Sequence, residues 1–187
     1  MKKGFTLIEL LMAITLVGMV VLSFGALQGI AHSFFFQSAG MANAQGEASY
    51  GMLHIKRNLT RANRVILSSP TFIFFRYDHR GIAAGTATPA DLNDDEWDYY
   101  RLNETTLLYR NNFSGAVPNG EIPALPVFGV GVDPNEEIIA RGVTALAFTQ
   151  VSPYEVDVDM TVQQQVGRQA RSTRVRGSIT PRGIGSP

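Results

Sequence analysis

Met1-Lys2-Lys3-Gly4-Phe5-Thr6-Leu7-Ile8-Glu9-Leu10-Leu11-Met12-Ala13-Ile14 opens the chain, and the rest of the fold follows from how this stretch is read. Two lysines and a glycine precede Phe5, and an apolar run then extends to Phe36. Between Phe5 and Phe36 the one side chain with a full charge at neutral pH is Glu9. A secretory signal peptide carries its small cleavage-site residues after the apolar core. Here the small residue, Gly4, comes before it, so a cut at Gly4 would leave the apolar segment on the mature chain. That segment exceeds the ~20 residues needed to cross a bilayer. Lys2 and Lys3 stand directly before it, which sets the N-terminus in the cytoplasm by the positive-inside rule. Everything after the segment is then expected outside the inner membrane, in the periplasm.

Lys2-Lys3-Gly4 in register with Phe5-Thr6-Leu7-Ile8-Glu9 resembles the N-terminus of a type IV prepilin, the family of type IV pilins and type II secretion pseudopilins. The resemblance implies cleavage after Gly4 by a prepilin peptidase and N-methylation of the new Phe5 amine. It also implies partners: other minor and major pilins or pseudopilins, and an inner-membrane assembly platform. An ordinary membrane anchor with a chance glutamate is the plain alternative. A carboxylate within an apolar span is costly and marks function by default. The cost falls when the acid meets a positive partner or takes a proton. In the family that partner is the N-terminal amine of a neighbouring subunit, so the resemblance implies that Glu9 pairs with the Phe5 amine of an adjacent protomer. The competing reading is a glutamate near the cytoplasmic interface, snorkelling into the head groups.

The chain has 187 residues, enough for a long helix and one small domain. Formal charge is balanced at 16 basic and 16 acidic side chains, and losing Lys2 and Lys3 with the leader takes the basic count to 14. That balance gives no case for nucleic-acid binding. With no cysteine there is no disulfide, zinc–thiolate site or thiol nucleophile.

No proline occurs before Pro70, and the pattern stays compatible with a helix from Phe5 to about Ile66. Residues 5–36 are apolar all round, as a membrane span or filament core requires. Residues 40–66 are amphipathic, with Met52, Ile55, Leu59, Ala62 and Ile66 at three- and four-residue spacing. Ser68-Ser69-Pro70 is expected to end the helix. Strands are predicted over 71–77, over 97–102 and 106–110 as a hairpin, over 143–151, over 156–162 with strict alternation, and over 173–180. Residues 111–126 read as a long connection, 163–172 as a polar loop and 181–187 as a frayed tail. The expected fold class is α+β: a long N-terminal helix lying on antiparallel sheet, with one or two small sheets. The expected organisation is a cleaved leader, 1–4, a transmembrane and assembly half of the helix, 5–36, and a globular domain, 37–187.

His32, His54 and His79 show no metal-ligand spacing, and no nucleophile-elbow, phosphate-loop or zinc-protease motif occurs, so an enzyme is not expected. Asp91-Leu-Asn-Asp-Asp-Glu-Trp-Asp98 begins like a calcium loop, but Glu96 stands where the turn glycine belongs and Leu102 where the bidentate glutamate belongs. A full EF-hand is therefore excluded. A looser Ca²⁺ site of Asp91, Asp94, Asp95 and Asp98 competes with a solvated acidic loop, which is the preferred reading, with no cofactor expected. Arg168, Arg171, Arg174, Arg176 and Arg182 lack aromatic interleaving and read as strand and loop surface.

Leu59-Thr-Arg-Ala62, Tyr100-Arg-Leu102, Leu107-Leu-Tyr-Arg110 and Val156 to Val162 loosely resemble minor pseudopilin J and the W-type minor pilins. The resemblance implies a minor pilin-like subunit that initiates or caps a type II secretion pseudopilus or a type IV pilus. A membrane-anchored periplasmic binding module that never polymerises is the alternative from another class.

Overall fold

The computed structural model describes residues 6–77, 96–113, 123–124, 126, 128, 131–152, 155–166 and 169–181. Helix α1, Leu7–Arg61, runs unbroken for 55 residues. It is free of proline and rich in leucine, methionine and alanine, which favour the helix. From Leu7 to Phe36 every residue is exposed. Further along, Ala44, Ala48, Gly51, Ile55 and Leu59 form a buried stripe at three- and four-residue spacing. Gly51 permits close approach there: a Cβ on it would stand 3.0 Å from Met160 Cε and 3.3 Å from Ala140 Cβ.

The helix stops at Arg61, short of the expected Ile66, so the amphipathic half expected over 40–66 is corrected. Strand β1, Ala62–Ser69, takes over and pairs antiparallel with β2, Phe72–Tyr77, across the turn at Pro70 and Thr71. Val65 and Leu67 join the helix-side core, while Ile66 between them joins a second cluster with Phe72, Phe74, Trp97 and Tyr99. That alternation is a strand's period of two. Pro70 thus ends a strand.

β3, Glu96–Asn103, and β4, Thr106–Arg110, form the expected hairpin, with Glu104 at φ 52° in its turn. β5, Glu137–Arg141, follows a long connection and completes a five-stranded antiparallel sheet in the order β1-β2-β3-β4-β5. It was not expected. Gly142, at φ 72°, then switches the chain into a three-stranded antiparallel sheet of β6, Val143–Ser152, β7, Glu155–Val166, and β8, Gln169–Ile179. A Cβ at Gly142 would clash with the Gln163 carbonyl oxygen, so this position requires glycine.

Most of the residues expected as a polar loop over 163–172 are paired strand instead, from Gln163↔Ser172 to Val166↔Gln169. Val156, Val158, Met160 and Val162 fix the register on the core face. The backbone ladder then continues past the core without needing apolar side chains. Of the expected frayed tail, 181–187, Pro181 is buried, and residues 182–187 lie outside the described residues. Both sheets contribute to one core with residues 44–59 of the helix, through Ile73, Phe75, Tyr100 and Leu107 on one side and Phe148, Val158 and Met160 on the other.

Candidate functional site: the helix N-terminus

The first described residues form a reciprocal helix cap. Thr6 precedes α1, and its backbone N–H donates to Glu9 Oε2 at 3.0 Å while its hydroxyl donates to the same oxygen at 3.1 Å. The Glu9 N–H returns a bond to Thr6 Oγ1 at 3.4 Å. This is a capping box, in which side chains at the cap and three residues on satisfy each other's orphan donors. A carboxylate also suits the positive end of the helix dipole. The Thr-x-x-Glu spacing that signals it is present in the sequence but was read only for Glu9. Gly4 and Phe5, the expected processing residues, lie outside the described residues.

Beyond this cap the site is a surface. Leu7, Ile8, Leu10, Leu11, Met12 and Ile14 are all exposed, and so are their successors up to Phe36. Thr15, Ser23 and Ser33 turn their hydroxyls back onto carbonyls of the preceding turn, which hides their donors from an apolar medium. Among the described residues this is the one helix long and apolar enough to cross a membrane.

Residues 1–25 match the family model described as the prokaryotic N-terminal methylation motif. The match supports a type IV pilin-like subunit of a pilus or pseudopilus. Such a subunit is structural, is processed by a prepilin peptidase and has other pilins as partners. Together with the apolar helix it supports membrane anchoring. No curated protein and no solved structure matches the chain.

The other sequence candidates are placed as follows. Asp91, Asp94 and Asp95 lie outside the described residues, as do His79, Arg168 and Arg182. Asp98 is buried in β3, where it accepts the Tyr109 hydroxyl at 2.6 Å and the Asn112 N–H at 2.9 Å. Among the described residues no three His, Cys, Asp or Glu side chains gather in a way that could hold a metal. Arg174 and Arg176 both pair with Asp159 across β7 and β8, and Arg171 donates to Gln169. Those bonds hold the Asp159 carboxyl below its ordinary range, the Arg174 bond most of all. These contacts support the strand-surface reading of the arginines.

Sequence reasoning missed a buried polar network on the five-stranded sheet. Arg101 grips Glu136 in a bidentate pair, Nε to Oε1 at 2.5 Å and Nη2 to Oε2 at 2.6 Å. Tyr99 donates to Glu136 Oε1 at 2.7 Å, and Arg101 also reaches the Gly131 carbonyl at 2.8 Å. Burial pushes the Glu136 carboxyl upward, but the bonds from Arg101, Tyr99 and the Asp133 N–H outweigh it and the group stays below its usual value. Burial, then the bond to Glu136, raises the Tyr99 phenol, which stays protonated. With every partner supplied by the chain itself, the network anchors residues 131–136 to β3. Arg101 and Glu136 are 35 residues apart, so no local pattern signals them.

Proposed function

We propose that this chain is a minor pilin-like subunit, a minor pseudopilin or minor pilin. Its N-terminal helix would assemble into a type II secretion pseudopilus or a type IV pilus, where the subunit initiates or caps the filament. The observation that carries the reading is the methylation-motif match over residues 1–25, on a helix exposed all round whose one charge up to Phe36 is Glu9. In this reading the helix waits in the inner membrane, N-terminus in the cytoplasm and globular domain in the periplasm. Cleavage after Gly4 then frees the Phe5 amine, which carries a charge, and N-methylation of that amine follows as a separate step.

Both Thr6 bonds land on Glu9 Oε2. In this reading Oε1, which accepts no bond among the described residues, takes the Phe5 amine of a neighbouring subunit, which would neutralise two charges in an apolar medium at once. Processing and assembly are thereby coupled through one carboxylate. The reading needs no cofactor and takes the acidic stretch at Asp91, Asp94 and Asp95 as a solvated loop.

Mass spectrometry of the mature N-terminus tests it, in cells with and without the prepilin peptidase. The expected product begins at N-methyl-Phe5 only when the peptidase is present. A chain retaining Met1 to Gly4 in both strains sinks the proposal. Glu9→Ala should leave membrane insertion intact and abolish most incorporation into filaments. One observation favours the second reading, a membrane-anchored module that does not polymerise: the capping box gives Glu9 a use within its own chain. On that reading Glu9→Gln, which can still accept the Thr6 bonds, would behave as the parent does.

A further inference from the structure

We propose that His54, Asn58 and Tyr100 form a proton-sensitive clasp, which holds residues 41–61 of α1 on the five-stranded sheet and loosens as the surroundings acidify. His54 Nδ1 lies 2.6 Å from the Tyr100 hydroxyl, and Asn58 Nδ2 donates to that same oxygen at 2.7 Å. Tyr100 is fully buried in β3, and Asn58 is buried on the helix. Among the described residues the Tyr100 hydroxyl, as a donor, reaches His54 Nδ1 or the His54 carbonyl oxygen at 3.2 Å. With His54 neutral and its proton on Nε2, Nδ1 takes the shorter bond, and the Tyr100 hydroxyl donates to His54 while accepting from Asn58. A proton on Nδ1 turns it into a donor. The hydroxyl must then accept from both His54 and Asn58 and send its own proton to the longer bond.

The surroundings decide which form is favoured. The His54 ring sits edge-on to Tyr100 and Tyr109, with centroids 5.8 and 5.1 Å away, and beside Tyr50 at 6.1 Å. From β4, the Tyr109 hydroxyl faces Asp98, to which it donates. Arg57 on the helix repels an imidazolium, and Glu137 on β5 attracts one. Burial is the largest of these influences, and with Arg57 it outweighs Glu137, so the His54 imidazole is held below its ordinary value of 6.5. The folded state therefore binds fewer protons than the unfolded one in the window below that value. Stability from this group is whole above it and declines as the pH falls.

The experiment uses the full chain in detergent micelles. The His54 ring proton is titrated by NMR, and amide exchange of residues 48–60 is followed between about pH 7.5 and 5, above the range where ordinary carboxylates titrate. Exchange is corrected for its intrinsic pH dependence. His54 should titrate below the free imidazole value, and exchange of these amides should speed up severalfold as it does. His54→Gln should remove that acceleration. A His54 that titrates at or above the free value, or a His54→Gln chain with the same acid response as the parent, overturns the clasp. If His54→Gln does not fold, the titration and exchange of the parent chain decide the matter alone.

Discussion

Residues 7–36 and 41–61 belong to one helix and share a backbone geometry, yet their side chains meet opposite demands. In the first stretch every side chain is exposed, apolar residues face all directions, and the single acid is bonded to the cap. In the second a narrow stripe of small and branched residues is buried, and the exposed surface mixes Lys56, Arg57 and Arg61 with uncharged polar residues and with Met41, Tyr50 and Leu53. The first stretch lacks an apolar partner within the described chain and needs one outside it, a bilayer or neighbouring helices. The second finds its partner in its own sheets. A helix therefore does not declare its role by its propensity; the distribution of polarity around it does.

The strongest way to break this contrast is to unfold the domain and leave the first stretch intact. Arg101→Met would strand Glu136, whose side chain is 0% exposed, and should cost about 3–5 kcal/mol of domain stability. Denaturant unfolding followed by Trp97 fluorescence would measure it, and membrane insertion should be unchanged. Because the folded Glu136 carboxyl lies below its ordinary 4.5, its contribution is whole above that value and lost as the pH falls through the lowered one. The parent should therefore lose this part of its stability in acid, and Arg101→Met should not have it to lose.

A paired substitution sharpens the contrast. Leu59 is 0% exposed and Leu16 is 64% exposed on the same helix. Leu59→Ala should lower domain stability by about 2–5 kcal/mol. Leu16→Ala should change it by less than about 0.5 kcal/mol. Equal losses in the two variants would refute the division of labour. A smaller effect than at Leu59, confined to the helix end, is expected at the cap. Thr6→Val should cost the helix end about 1 kcal/mol, read as faster amide exchange in the first turn, with the domain's unfolding curve unmoved.

Much of this was legible in the sequence because it rests on local periodicity. The apolar run to Phe36, the hairpin at Glu104 and the alternation from Val156 to Val162 each announce themselves within a few residues. The failures occur where the decision is not local. Ala62 and Ile66 continue a helical spacing from Leu59, and only pairing with β2 makes 62–69 a strand. β5 is short, and its alternation is hidden by two adjacent isoleucines, because the ladder shifts register between Leu107 and Leu108, which pair with Ala140 and Ile138 and pass over Ile139. The Arg101–Glu136 pair joins distant segments. At the candidate site Glu9 was visible as an anomaly, whereas Thr6 was overlooked because a threonine among apolar residues is ordinary until its spacing to Glu9 is counted.

Strand β5 ends the five-stranded sheet, and the Arg141 N–H there donates to Glu47 Oε2 at 2.9 Å. A bare strand edge is a template for runaway cross-β growth. A residue of α1 occupies one of the hydrogen-bonding positions on that edge. For a protein proposed to live in a polymer this separates two kinds of self-association. Residues 7–36 of the helix are left open to neighbours, while Glu47 of the same helix occupies one donor on the sheet edge. Replacing Glu47 would then free that donor for edge-to-edge pairing without altering any residue on the exposed surface of 7–36.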